Sequence, residues 1–281
     1  MGDPERETQT TVRAESRRLL LNNIHTKKGE SKTYTFTVNK RNKYISPNDS
    51  VRIKPREQTK LNWDDELNIE INGLSPGLKS LELEPVNDAV TVFLCGNSTV
   101  VDQDDEPWAA WGQMIPVFFN EKVCFANYAE SGESSNTFLS AKRFEKALTF
   151  MKPGDYVLIE FGHNDEKQQG EDKGAYKHFT KSLKVYIDEA RKRKAYPVLL
   201  TPTQRRKFDP SGRLIETHGD FPQAVRDLAA KENIPLIDLT AMTSQLYNAL
   251  GVEGSKKAFV HYPAGTFPGQ TADLADNTHF S

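Results

Sequence analysis

The hydrophobic positions change their period near residue 88. Before it, Thr35-Phe-Thr-Val38, Val51-Arg-Ile-Lys54, Leu67-Asn-Ile-Glu-Ile71 and Leu81-Glu-Leu-Glu84 alternate apolar with polar. That is the mark of a strand with one buried and one wetted face. Ser46-Pro-Asn-Asp-Ser50, Asn72-Gly73 and Ser75-Pro-Gly77 supply turns between the pieces. Glu15 to Leu21 reads equally as helix or strand. The pattern predicts a partial all-β sandwich over residues 1–88.

From Ala89 the pattern becomes strand then helix. Val90-Thr-Val-Phe-Leu-Cys95 is continuously apolar, as a parallel strand covered on both faces must be. Val123–Ala126, Tyr156–Phe161, Pro197–Leu200 and Ile234–Ile237 repeat that signature. Between them, helices are predicted over Trp108–Phe119, through Ala141, Phe144 and Leu148, and along Phe179, Leu183, Ile187 and Ala190. Pro222 opens the next helix, and Gly251 stops a last one from about Ala241 to Leu250. Five such units predict an α/β fold over residues 89–281: a doubly wound five-stranded parallel sheet with its chemistry beyond the carboxyl ends of the strands.

Composition narrows the class. Lys and Arg number 37 and Asp and Glu 39, a net charge of −2 that argues against a nucleic-acid partner. Hydrophobic residues at 37% suffice for a packed core. No apolar run approaches the ~20 residues of a membrane helix. Cys95 and Cys124 are the only cysteines, too few for a disulfide scaffold, and read as buried free thiols. The first ten residues are polar and carry no export signal.

The strand ends hold the reactive side chains. Gly96-Asn-Ser98-Thr follows the first strand, where a tight turn can expose a hydroxyl nucleophile; a lone Gly-x-Ser is more commonly a helix cap. Gly132, after the second strand, is by itself an ordinary turn glycine. Gly162-His-Asn164-Asp165 follows the third, and an Asn amide there can stabilise negative charge without titrating. Asp276-Asn-Thr-His279 spaces a carboxylate to meet Nδ1 of the imidazole. In chain order the four supply a nucleophile, two oxyanion donors, and a base with its orienter.

Those four blocks resemble the SGNH (GDSL-like) hydrolase superfamily, whose fold is flavodoxin-like. Gly-Asn-Ser-Thr-Val-Val-Asp-Gln103, Trp111-Gly-Gln-Met, Phe161-Gly-His-Asn-Asp165 and His261-Tyr-Pro-Ala-Gly-Thr-Phe-Pro-Gly269 are similar to rhamnogalacturonan acetylesterases and related pectin or xylan deacetylases. The resemblance spans residues 89–281, and the preceding region resembles the galactose-binding-like sandwich of some bacterial members. It implies catalysis by Ser98, Asp276 and His279, with the oxyanion held by Ser98, Gly132 and Asn164, and no cofactor or metal. The implied substrate is an acetylated plant cell-wall polysaccharide, and the implied location extracellular or periplasmic. Asn97 departs from the common Gly-Asp-Ser block, which bears on turn geometry.

Arg205 and Arg206, after the fourth strand, are candidates for clamping a uronate carboxylate, against the commoner solvated charge run. His261 and Tyr262 are candidates for lining the sugar site. Two rival readings stay open: a metal-dependent hydrolase using His163, Asp165, Asp276 and His279, and a non-catalytic carbohydrate-binding protein. Relatives follow the catalytic His with a closing helix, whereas His279 here is third from the end. The chain therefore looks truncated at both ends, and the expectation is a frayed carboxyl end with a weakly held His279.

Overall fold

In the computed structural model, which describes residues 1–281, the five strands predicted for the α/β half all lie near their predicted places. The first sheet is built earlier, from β1 (Thr8–Ala14), β2 (Arg18–Thr26) and β5 (Ile69–Ser75), antiparallel in the order β2-β1-β5. A two-stranded hairpin, β3 (Tyr44–Ser46) and β4 (Asp49–Ser50), lies between them in sequence. One antiparallel sheet thus stands where the partial sandwich was expected. Of the four alternating segments, only Leu67–Ile71 reaches a strand. Val38 makes a single parallel bridge to Phe125, Val51 is buried in the main core, and Leu81 and Leu83 face solvent.

The second sheet is parallel and five-stranded: β6 (Val90–Gly96), β7 (Val123–Asn127), β8 (Tyr156–Glu160), β9 (Tyr196–Leu200) and β10 (Leu236–Ile237), in the order β10-β9-β8-β6-β7. The order reverses at β6, which is paired with β7 on one side and β8 on the other. A doubly wound sheet opens its ligand crevice at such a reversal. Phe93 and Cys95 on β6 enter the main core, whereas Val92 and Leu94 enter a smaller cluster with Val100, Val101 and Phe125. Burial on both faces is why the strand is continuously apolar.

The helices are α1 (Trp111–Met114), α2 (Ser135–Ser140), α3 (Arg143–Leu148), α4 (Thr180–Lys192), α5 (Phe221–Glu232) and α6 (Leu239–Gly254). Two predicted helices are broken. Trp108–Phe119 becomes the single turn of α1 and a 3-10 turn. Lys142, at φ 61°, separates α2 from α3. Gly251, at φ 70° and ψ −179°, interrupts α6 where the sequence places its stop. None of the helices is long and apolar enough to cross a membrane.

The carboxyl end is a strand, not a frayed tail. β11 (Phe259–Tyr262) pairs antiparallel with β12 (Leu274–Phe280). The Ala109 and Ser281 N–H groups donate to Phe280 O at 2.9 Å and to Ala258 O at 3.3 Å. Ladder hydrogen bonds pin the segment bearing Asp276 and His279. A shallow apolar groove between α1 and the start of α6 is lined by Trp111, Met114, Phe118, Leu158, Leu200 and Leu239.

Candidate active site

The site forms where β7, β6 and β8 end side by side. Ser98 sits on a turn that only glycine permits at position 96: a Cβ there would lie 2.4 Å from Val100 Cγ2 and 3.0 Å from Glu160 O. Asn97 Oδ1 accepts from Thr99 N and Thr99 Oγ1, both at 3.0 Å. An amide oxygen thus shapes the turn, as the carboxylate oxygen of a Gly-Asp-Ser block can. Beneath it, buried Glu160 accepts from Thr99 Oγ1 at 3.0 Å, Thr203 N at 3.1 Å and Trp111 Nε1 at 2.5 Å. Burial pushes its pKa up against those bonds.

Ser98 meets the far end of the chain. His279 Nε2 lies 2.8 Å from Ser98 Oγ, and His279 Nδ1 lies 2.7 Å from Asp276 Oδ2. Asp276 Oδ1 accepts from Thr278 N at 2.8 Å and His279 N at 3.0 Å. Partial burial raises the Asp276 pKa, but these hydrogen bonds outweigh it and hold the carboxyl well below the usual range. An ionised Asp276 keeps the proton on Nδ1 and leaves Nε2 free to accept from the Ser98 hydroxyl.

The Ser98 and Gly132 N–H groups donate to nothing within the chain. Asn164 Nδ2 spends one hydrogen on Glu133 O at 2.9 Å and keeps the other. These three donors come from the ends of β6, β7 and β8, adjacent strands, so the sheet brings together the residues the sequence places in separate blocks.

The remaining candidates flank the Ser98–His279–Asp276 relay. Arg206 is buried and engaged: Nε donates to Ser255 Oγ at 2.9 Å, Nη1 to Asn277 Oδ1 at 2.8 Å and Nη2 to Val252 O. Arg205 pairs with Glu166 at 2.5 Å. The Arg206 guanidinium is not open to clamp a uronate, because the protein already engages it; Arg205 is part-exposed and has only 3.4 Å contacts beyond its Glu166 pair. His261 Nε2 is 2.9 Å from Asn277 Oδ1, and Tyr262 bonds to Ser281 and packs edge-on against Phe267. Both belong to the hairpin that carries His279.

The metal reading does not assemble. Asp165 Oδ1 accepts from Ser135 N at 2.9 Å and Oδ2 from Gly162 N at 3.1 Å, which turns the carboxylate into the β8 loop. The His163 ring, buried edge-on against His218, has no partner on either nitrogen. Burial, then neighbouring cations, push its pKa well down. No group of three His, Cys, Asp or Glu side chains converges on a point suited to a metal.

Sequence reading missed several supports: Gln103, which donates to Ser98 O at 2.9 Å; Trp108, whose Nε1 is 3.5 Å from Asp276 Oδ2; and Asn277. It also missed three cations of the amino-terminal region, Lys54, Arg56 and Lys60, which reach the loop after β7. The contacts of Trp108 and of the three cations cross long sequence separations and leave no local pattern to read.

Residues 94–263 match the model of the GDSL-like lipase/acylhydrolase family. Rhamnogalacturonan acetylesterase RhgT of Bacillus subtilis is 41% identical over 68% of this chain and 83% of its own. A rhamnogalacturonan acetylesterase of Emericella nidulans is 26% identical over 64% and 79%. The crystal structure of YxiM from Bacillus subtilis, 22% identical, superposes with a TM-score of 0.58 over 98% of this chain and 70% of that one, a likeness of fold.

Proposed function

The chain belongs to the GDSL-like lipase/acylhydrolase family, and we propose that it is a carbohydrate acetylesterase removing O-acetyl groups from rhamnogalacturonan through an acyl-enzyme on Ser98. The observation that carries the reading is the continuous relay from Ser98 Oγ through His279 to Asp276, at 2.8 and 2.7 Å. The choice of rhamnogalacturonan rests on the similarity to the two acetylesterases of that name. A polymeric substrate carries with it action outside the cytoplasm.

The steps follow from the geometry. Ser98 Oγ attacks the acetyl carbonyl while His279 Nε2 takes its proton, and Asp276 stabilises the imidazolium. The carbonyl oxygen becomes an oxyanion facing the N–H groups of Ser98 and Gly132 and the free Asn164 amide hydrogen. Collapse breaks the ester C–O bond; His279 returns the proton to the departing sugar oxygen and acetyl-Ser98 remains. Water, deprotonated by His279, then attacks the acyl carbon. The second intermediate collapses to acetate, and Ser98 regains its proton.

Acetate release from a panel of acetylated rhamnogalacturonan, homogalacturonan and xylan tests the reading. Rhamnogalacturonan should lead the panel, activity should survive EDTA, and Ser98→Ala should remove it. Activity retained in Ser98→Ala rejects the serine mechanism. Preference for xylan rejects the substrate.

A further inference from the structure

Gly132 is the weakest-held of the three oxyanion donors by chemistry alone. A glycine at φ 80° pays little steric cost in other conformations, so the Ser131–Gly132 peptide can turn over easily unless something fixes it. That peptide is trans, so its carbonyl and its N–H point in opposite directions. Whatever holds Ser131 O therefore aims Gly132 N–H.

Two cations hold Ser131 O. Lys54 Nζ donates to it at 2.7 Å, and Arg56 Nη2 donates to it as well. Each is anchored by an acid flanking the glycine. Lys54 Nζ is 2.7 Å from Glu133 Oε1; Arg56 Nε and Nη2 are 2.9 and 2.7 Å from Glu130 Oε1. Both acids are buried. The cations' own segment is fixed in turn. Lys54 N donates to Glu57 Oε2 at 2.7 Å, Arg143 of α3 pairs with the same carboxylate, and Arg52 N donates to Ala141 O at 2.9 Å.

We propose that Lys54 and Arg56 are positioning residues that lock the Ser131–Gly132 peptide with its N–H toward the Ser98 oxyanion. Two positive charges on the carbonyl also polarise the amide, making its N–H a stronger donor as charge develops in the transition state. Both residues lie outside the stretch matched by the family model, residues 94–263. The amino-terminal region thus completes the oxyanion site as well as packing against the hydrolase unit. The inference rests on the proposed acyl-transfer function of Ser98 and Gly132.

The test uses the full chain and p-nitrophenyl acetate, a substrate too small to need a polysaccharide subsite. Lys54→Met combined with Arg56→Met should lower kcat about 10- to 100-fold, less than the loss of a whole donor, and leave KM nearly unchanged. Phenylboronic acid, which forms a tetrahedral adduct with a serine, should bind more weakly by a similar factor. Lys54→Arg with Arg56→Lys keeps both charges and should recover most of kcat. Unchanged kcat in the methionine pair overturns the proposal, and so does an equal loss in the charge-preserving pair, which marks mere packing. Circular dichroism checks folding; if the methionine pair does not fold, Arg56→Gln is read by the same criteria. Ser98→Ala is run alongside. If it retains turnover the acyl-transfer reading itself has failed; if it is inert while the methionine pair is unaffected, only the present inference has.

Discussion

Arg206 grips Asn277 twice: its backbone N–H donates to the Asn277 carbonyl and its Nη1 to Asn277 Oδ1, each at 2.8 Å. Asn277 is the residue after Asp276, so the grip fixes the backbone from which both Asp276 and His279 project. Its other bonds, to Ser255 Oγ and Val252 O, run to the end of α6 and the turn that precedes β11. The hairpin bearing Asp276 and His279 is in this way held to the end of α6 by one buried guanidinium.

Arg206→Met keeps most of the apolar stem and removes every side-chain donor. The buried Ser255 hydroxyl and two part-buried acceptors, Asn277 Oδ1 and Val252 O, lose a charged partner, which should cost about 1–3 kcal/mol of stability. Turnover should fall about tenfold, because a small displacement of His279 from Ser98 lengthens the proton-transfer bond. Urea unfolding and kcat on the same preparation check both effects. Unchanged values would show that the ladder alone pins the hairpin.

The pH profile should carry the mark of Asp276. Its folded pKa is depressed, so the stability it contributes is present above its unfolded value, near about 3.9. That contribution persists as the pH drops through the ordinary carboxylate range, and is lost only when the pH falls through the lower folded value. Asp276 therefore stays ionised throughout the ordinary carboxylate range. Carbon-13 NMR of the Asp276 carboxyl should show no titration step between pH 7 and about 3.9; a step in that range would mean that the depression is absent. Asp276→Asn should lower kcat by about 10⁴, since the amide favours the wrong tautomer of the base.

The two halves of the chain differ in how openly their sequence speaks. Val90–Cys95 and Tyr156–Phe161 are apolar but for Thr91 and Glu160 because the sheet is covered on both sides, and Glu160 is tolerated there because three donors satisfy its carboxylate. Ser98 and Asn164 are candidates because each follows such a strand within a few residues, whereas Gly132, by itself an ordinary turn glycine, is singled out only by the resemblance of the four blocks together. The first 88 residues were harder. Val51 and Ile53 alternate with Arg52 and Lys54, but they are drawn to the main core without joining a ladder. The alternation is real and the sheet is not. Arg206 shows the limit from the other side: a basic run looks solvated or ligand-binding in sequence, and only its partner at residue 277 makes it structural.

Glu57 tests whether those two halves fold together. Its carboxylate accepts from Arg143 Nη1 at 2.9 Å, from Arg143 Nη2, and from Trp63 Nε1 at 3.1 Å. The Arg143 and Glu57 side chains are only 0% and 1% exposed. Val51 and Trp63 share one core with Phe93, Phe144 and Tyr186, so residues 1–88 have no separate interior of that size to melt first. We propose that residues 1–88 and 89–281 are distinct regions of one cooperative unit. Glu57→Leu strands a buried guanidinium without its counter-charge and should cost about 3–5 kcal/mol. Both the native protein and the variant should unfold in a single step, with circular dichroism and tryptophan fluorescence coinciding, the variant at lower denaturant. Trp63 reports from the first region, while Trp108 and Trp111 report from the second. An early fluorescence transition that leaves the helical signal intact would instead make residues 1–88 an independently folding domain.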